Sequence, residues 1–325
     1  MSKLLRQGLV IRMQSGFFTV QTDDGPVVCR LRGRLKKGRA SGDIAAVGDQ
    51  VEIMPQPDGT GMVERVLPRH AELVRTAPTP RGVYRQVLVA NPDQIVLVFA
   101  CAEPDPHLRM LDRFLVICER QKLPALIVIN KVDLVDIRDA RLVFSMYTDI
   151  GYPVLYTSAQ TGQGIAELHQ RLQGKLSGLL GPSGVGKTSL LNAIQPHLGL
   201  EVREVSQLTA KGRHTTVVRQ MFPLEEGGYV ADLPGLRTLA LWDIEPEELD
   251  GYFPELRPLV ADCQFNDCRH KDEPGCAVQQ AVADGRVYPE RYESYLRLRF
   301  AKDLDELLSD ETSEEEYMDG EAYDG

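Results

Sequence analysis

Short apolar runs separated by turn residues open the chain. Gly8-Leu9-Val10-Ile11, Phe17-Phe18-Thr19-Val20, Val27-Val28-Cys29-Arg30, Asp49-Gln50-Val51-Glu52-Ile53 and Gly61-Met62-Val63-Glu64-Arg65-Val66 read as strands, punctuated by Asp23-Asp24-Gly25, Gly42 and Asp58-Gly59. Five short strands in about 70 residues predict a small closed barrel of the OB type, which commonly binds single-stranded nucleic acid or structured RNA. The same pattern fits an SH3-like barrel. A stretch rich in Thr, Pro and Arg, from Arg75 to Gly82, reads as a linker. Beyond it apolar strands alternate with amphipathic segments. Strands are predicted at 94–100, 125–129, 153–157, 176–180, 217–222 and 228–232, and helices at 107–121, 137–149, 164–173 and 187–195. Such alternation implies a mostly parallel sheet covered by helices. From Trp242 onward the strand signals stop, and a Cys/His cluster gives way to a helical segment at about 287–308. The expected units are therefore 1–72 (barrel), 73–241 (α/β domain), 242–300 (Cys/His segment with a terminal helix) and 301–325 (tail).

Composition changes this picture in three places. No apolar run reaches the ~18–20 residues of a membrane helix. The opening Met1-Ser2-Lys3-Leu4-Leu5-Arg6 lacks the apolar core of a signal peptide, so a cytoplasmic protein is expected. The net charge of −10 resides in the last 25 residues, which hold eleven acidic side chains and one lysine and are too polar to bury a core. The tail is expected to be solvated and disordered. Arg30, Arg32, Arg34, Lys36, Lys37 and Arg39 fall within ten residues, a density suited to a phosphate backbone, although an unliganded surface loop has the same appearance. Of the six cysteines, Cys29, Cys101 and Cys118 sit in apolar segments and read as small buried residues.

The chemistry begins with Gly181-Pro182-Ser183-Gly184-Val185-Gly186-Lys187-Thr188, a complete GxxxxGK[ST] phosphate loop between a strand and a helix. Its glycines let backbone N–H groups turn inward around a phosphate at a helix N-terminus. Gly181, Ser183, Gly184, Val185, Gly186, Lys187, Thr188 and the following Ser189 are the candidate phosphate contacts, with Thr188 as a Mg²⁺ ligand. Asn130-Lys131-Val132-Asp133 ends another apolar strand. A carboxylate at Asp133 accepts hydrogens from guanine N1 and N2, which adenine does not offer in that arrangement. Asn130 would hold neighbouring loops, and the Lys131 stem would cover the base. Ser158 and Ala159 follow the next strand, where the Ala159 N–H is placed to reach guanine O6.

Asp232-Leu233-Pro234-Gly235 ends a further strand, with Asp232 expected near Mg²⁺ and the Gly235 N–H near the γ-phosphate. Between it and the phosphate loop lies Gly212-Arg213-His214-Thr215-Thr216, which supplies a threonine for Mg²⁺, Thr216 being favoured over Thr215. These are the parts of a Ras-like GTPase in the wrong order, because the guanine motifs at 130 and 158 precede the phosphate loop. A parallel sheet tolerates such a circular permutation if the old termini are joined and a new break opens elsewhere. The permutation places the DxPG segment just upstream of the Cys/His cluster, so loss of the γ-phosphate would act on that cluster directly.

Cys263, Cys268, His270 and Cys276 offer three thiolates and one imidazole, a closed tetrahedral set for one structural Zn²⁺. With Ala90-Asn91-Pro92-Asp93-Gln94, Leu111-Asp112-Arg113-Phe114, the phosphate loop and Gly212-Arg213-His214-Thr215-Thr216, the chain resembles the bacterial ribosome small subunit-dependent GTPase A family over nearly its whole length. The resemblance implies GTP/GDP and Mg²⁺ as ligands, the small ribosomal subunit and its rRNA as partner late in subunit maturation, and hydrolysis stimulated by that subunit. A monomer is expected. The position after DxPG, where self-sufficient Ras-like enzymes carry glutamine, is Leu236, whose apolar side chain cannot orient water. His214 is the candidate to do so; packing or an RNA contact is the other reading of it. Gly184 stands where some potassium-using relatives carry asparagine. A non-catalytic, GTP-gated RNA-binding checkpoint is the competing function.

Overall fold

The computed structural model describes residues 5–36, 42–79, 82–198, 200, 219–233 and 244–301. His214, Thr215, Thr216, Gly235, Leu236 and the acidic tail lie outside them.

The chain opens with β1 (Arg6–Gln14), β2 (Phe17–Thr22), β3 (Gly25–Leu31), β4 (Gln50–Pro55) and β5 (Gly61–Val66). Inward positions alternate with outward ones along them, and Val10, Phe18, Val20, Cys29, Val51, Ile53 and Val63 fill the interior. β1 pairs with β2 and β4, β2 with β3, β4 with β5, and β3 runs parallel to β5, which closes the barrel. That parallel β3–β5 pairing is the OB connection and sets aside the SH3-like alternative. At the closure Gly61 lies against Cys29: a Cβ there would stand 2.6 Å from the Cys29 sulfur. Burial pushes the Cys29 thiol up to about 11 and that of Cys118 to about 12, as expected of inert packed cysteines. Cys101 is half-buried.

The segment read as a linker is a β-hairpin. β6 (Glu72–Thr79) pairs antiparallel with β7 (Gly82–Ala90). Leu73, Val74, Val87 and Val89 are buried, and the Gln121 amide both donates to and accepts from Val74 backbone groups. The Thr/Pro/Arg content of the hairpin's outer half masked a strand pair whose inner half is apolar.

The α/β domain follows: β8 (Gln94–Ala100), α1 (Leu108–Gln121), β9 (Ala125–Asn130), α2 (Ile137–Asp149), β10 (Val154–Tyr156), α3 (Ile165–Leu172), β11 (Leu176–Leu180), α4 (Lys187–Ile194), β12 (Arg219–Pro223) and β13 (Tyr229–Asp232). β8 and β11 are buried along their whole length, as central strands of a sheet covered on both faces must be. Strand order is β10-β9-β8-β11-β13-β12, parallel except for β12. The sheet does not stop there. β12 pairs with the far end of β1 (Arg12 with Gln220, Met13 with Arg219), while the near end of β1 closes the barrel on β4. A register shift between Val10 and Arg12 allows one strand to serve both sheets.

Residues 244–301 hold short 3-10 turns, α5 (Ala277–Ala283) and α6 (Pro289–Phe300). They bury Leu249, Phe253, Leu256, Val278 and Tyr295 with Val116 of α1. A charged bolt crosses this contact. Arg291, 1% exposed, donates to Asp112 Oδ1 at 2.6 Å and to Glu255 Oε1 at 2.7 Å. Tyr147 donates to the same Asp112 oxygen at 2.8 Å, and Ser294 donates to the other. Burial opposes the Arg291 charge, but the two carboxylates outweigh it and hold its pKa above the ordinary value.

Candidate nucleotide and metal sites

The guanine and phosphate motifs meet at one edge of the sheet, the C-terminal ends of its parallel strands, where ligands of open α/β sheets bind. Asn130 ends β9, Ser158 and Ala159 follow β10, Gly181 follows β11, and Asp232 ends β13 beside Leu179. The phosphate loop needs its glycines. Gly181 has φ +153°, and a Cβ there would sit 2.0 Å from the Val98 carbonyl oxygen. Gly186, at φ +90°, opens α4 so close to Asn130 that a Cβ would stand 2.4 Å from its amide nitrogen.

Asn130 is the tie between loops that its position in the motif suggested. Its Nδ2 donates to the Val185 carbonyl at 2.8 Å, and its Oδ1 accepts from Thr157 Oγ1 and Ala159 N, both at 3.3 Å. The Ala159 N–H is thus already engaged, on Asn130. Lys131 adopts a left-handed backbone (φ 63°) and donates to the Glu103 carbonyl. Asp133 is exposed in the turn Val132–Leu134, and Ser158 is buried, its hydroxyl accepting from Thr161 N at 3.0 Å. Ser183 is exposed, Val185 buried, and Gly184, Thr188 and Ser189 half-buried.

Lys187 Nζ donates to the Gly181 and Pro182 carbonyls at 2.8 and 2.7 Å. Burial lowers its pKa against the opposing pull of Asp232, and burial raises that of Asp232 against the pull of Lys187. Asp232 Oδ1 is buried with no hydrogen-bond partner, an unsatisfied acceptor of the kind a hydrated cation would occupy. This donor chemistry fits Mg²⁺ beside Thr188 and Asp232.

At the other site Cys263, Cys268, His270 and Cys276 have their ligand atoms all within 4.8 Å of one another. His270 Nδ1 lies 3.5 Å from the Cys263 sulfur and 3.4 Å from that of Cys276. A tetrahedral zinc ion with Zn–S ~2.3 Å and Zn–N ~2.0 Å sets a sulfur–nitrogen edge of ~3.5 Å. Burial raises the Cys268 and Cys276 thiols, so thiolates here require a compensating cation. The arrangement is compatible with zinc.

Two features carried no local signal in the sequence. Asp250 Oδ2 meets His270 Nε2 at 3.2 Å, and Arg291 joins elements 179 residues apart. The basic run also differs from a free stripe. The buried Glu64 (4% exposed) takes both Arg32 and Arg34, while Arg30 lies over the exposed Phe17 ring, 4.4 Å from its centroid.

The family model described as "RsgA GTPase" matches residues 66–242, and "RsgA N-terminal domain" matches 7–63. A Gemmatimonas aurantiaca protein named small ribosomal subunit biogenesis GTPase RsgA is 46% identical over 304 residues, covering 93% of this chain and 97% of its own. A Moorella thermoacetica protein of the same name is 44% identical over 290 residues, 89% and 95% of the two chains. The crystal structure of YjeQ from Thermotoga maritima superposes with a TM-score of 0.74 at 39% identity, covering 91% of this chain and 98% of that one. YloQ, described as a circularly permuted GTPase, gives 0.69 at 33% identity and covers 91% and 94%. With a barrel, permuted motifs on one sheet edge and near-complete coverage by these relatives, the chain belongs to the RsgA family of circularly permuted GTPases.

Proposed function

We propose that this protein hydrolyses GTP to GDP and phosphate while assisting late maturation of the small ribosomal subunit, that it binds the subunit and its rRNA in the GTP state, and that it leaves after hydrolysis. The observation that carries the reading is the gathering of Asn130, Ala159, the 181–188 loop and Asp232 at one sheet edge. A relative 46% identical over 93% of this chain is named small ribosomal subunit biogenesis GTPase RsgA, which supports the coarser part of the reading. Asp133 would read guanine, Lys187 and the loop N–H groups would hold the phosphates, and Thr188, Thr216 and Asp232 would hold Mg²⁺. The ion, when bound, neutralises phosphate charge. Gly235 would sense the γ-phosphate, and one zinc would brace residues 263–276. A cytoplasmic monomer suits this role, and among the described residues no helix is long and apolar enough to cross a membrane.

Turnover is expected to be slow alone and accelerated by the small subunit, with His214 positioning water in the subunit-bound protein. Hydrolysis rates of the purified protein alone, with small subunits and with large subunits test this: stimulation by small subunits only, lost in His214→Ala, is the expected result. Full stimulation in His214→Ala would remove that residue from the mechanism. Leu236 favours one competing reading, a GTP-gated RNA-binding checkpoint without turnover. Subunit binding that depends on GTP while hydrolysis is never stimulated would establish it.

For the barrel, the outer face of β2–β3 supports RNA contact better than Arg32 and Arg34, whose charges Glu64 already engages. It carries Phe17 directly across from Arg30, and exposed Val28. An aromatic face with an adjacent cation accepts an unpaired base and its phosphate. Phe17→Ala and Arg30→Glu are each expected to weaken small-subunit binding by about 10-fold, and Arg30→Glu to flatten its salt dependence. Sedimentation with subunits at two salt concentrations is the measurement. Unchanged binding in both variants would move the contact to the Cys/His segment.

A further inference from the structure

Asp250 lies in the turn Pro246–Tyr252, between Asp232 of the nucleotide edge and the first cysteine of the metal cluster. Its carboxylate makes two contacts. Oδ2 meets His270 Nε2 at 3.2 Å and stands 3.8 Å from Arg299 NH1 on α6. His270 is fully buried and Arg299 nearly so. The imidazole is therefore fixed at both nitrogens: Nδ1 faces the Cys263 and Cys276 sulfurs, and Nε2 faces a carboxylate. Its backbone is held as well. His270 has φ 60°, and its carbonyl accepts from the Tyr292 hydroxyl, while the neighbouring Arg269 carbonyl accepts from Tyr295.

A ring that must bind a cation through Nδ1 has to carry its proton on Nε2. A carboxylate accepting that N–H selects the tautomer and makes Nδ1 the better donor. Resting on the zinc reading above, we infer that Asp250 is a positioning residue for the metal centre: it holds His270 in the Nε2–H tautomer and raises the metal affinity of Nδ1. The same contact ties the chain leaving the DxPG segment to the metal. Arg299 NH1 adds a positive charge 3.8 Å from the same carboxylate oxygen.

The test is Zn²⁺ affinity of the full-length protein, measured by competition with a chromogenic chelator, together with the absorption spectrum of the Co²⁺-loaded protein. Wild type is expected to bind one Zn²⁺ per chain. Asp250→Ala is expected to weaken that affinity 10–100-fold, and Asp250→Asn, which keeps an acceptor but loses the charge, to fall between. In a His270→Cys background, where no imidazole needs orienting, Asp250→Ala is expected to leave affinity unchanged. Co²⁺ spectra should shift in Asp250→Ala and not in Arg65→Ala, which breaks an ion pair with Glu52 in the barrel. Wild type binding no Zn²⁺ would overturn the zinc reading itself. One Zn²⁺ per chain, with Asp250→Ala unchanged or with an equal loss in the His270→Cys background, would overturn only the role given to Asp250.

Discussion

Asp133→Ala is expected to lower GTP affinity by ~10²–10³-fold while leaving the weak binding of ATP where it was. A site whose selectivity rests on one acceptor facing two guanine hydrogens loses the bonds and the discrimination together. The exposed position of Asp133, beyond a buried Asn130, makes the effect local. Asn130 carries the joints to Val185 and Ala159, so its replacement would disturb the loops themselves, whereas Asp133 can be removed without touching them. Competition of GTP and ATP against a fluorescent guanine nucleotide reads the ratio directly. A ratio equal to that of wild type would exclude Asp133 as the guanine-reading group.

The second large effect lies where residues 244–301 pack on α1. Arg291→Ala is expected to cost about 3–5 kcal/mol of stability, because it strands Asp112 and Glu255 as buried, uncompensated carboxylates. Replacing Arg291, Asp112 and Glu255 together by apolar residues of similar volume should recover much of that loss, since the desolvation cost disappears with the charges. Urea unfolding of the single and triple variants decides between these outcomes. A single variant within about 1 kcal/mol of wild type would mean that water reaches the network and that the bolt is not structural. The two predictions are separable: Asp133→Ala should leave the unfolding midpoint alone, and Arg291→Ala should act on stability before it acts on nucleotide affinity.

What was readable in advance was whatever the chemistry keeps contiguous. A phosphate loop must present successive N–H groups to one anion, so 181–188 is a local pattern, and the Cys/His ligands are spaced by the reach of a short loop. The order of these patterns disclosed the permutation. The strand alternation of the barrel announced its period but not its closure, because the β3–β5 pairing that separates an OB barrel from its SH3-like alternative joins residues about thirty apart. Arg75–Gly82 misled because turn-type composition covered the outer half of a hairpin whose inner half, Leu73, Val74, Val87 and Val89, packs into the core. Asp250 and Arg291 gave no signal at all. Each is a charged residue among others, and what distinguishes it is a partner 20 or 179 positions away. The basic run was visible as charge, but the burial of Glu64, which engages two of its arginines, was not.

The division of β1 between barrel and sheet bears on what counts as a module here. The family matches end at 63 and resume at 66, and a cut there would look harmless on the primary structure. It would nonetheless strip β12 of β1, its neighbour on that side among the described residues, and leave a raw strand edge with open N–H and C=O groups, the kind of surface on which chains stick to one another. The barrel is thus also the GTPase sheet's seal, and the two parts share one continuous fabric of hydrogen bonds rather than a tether.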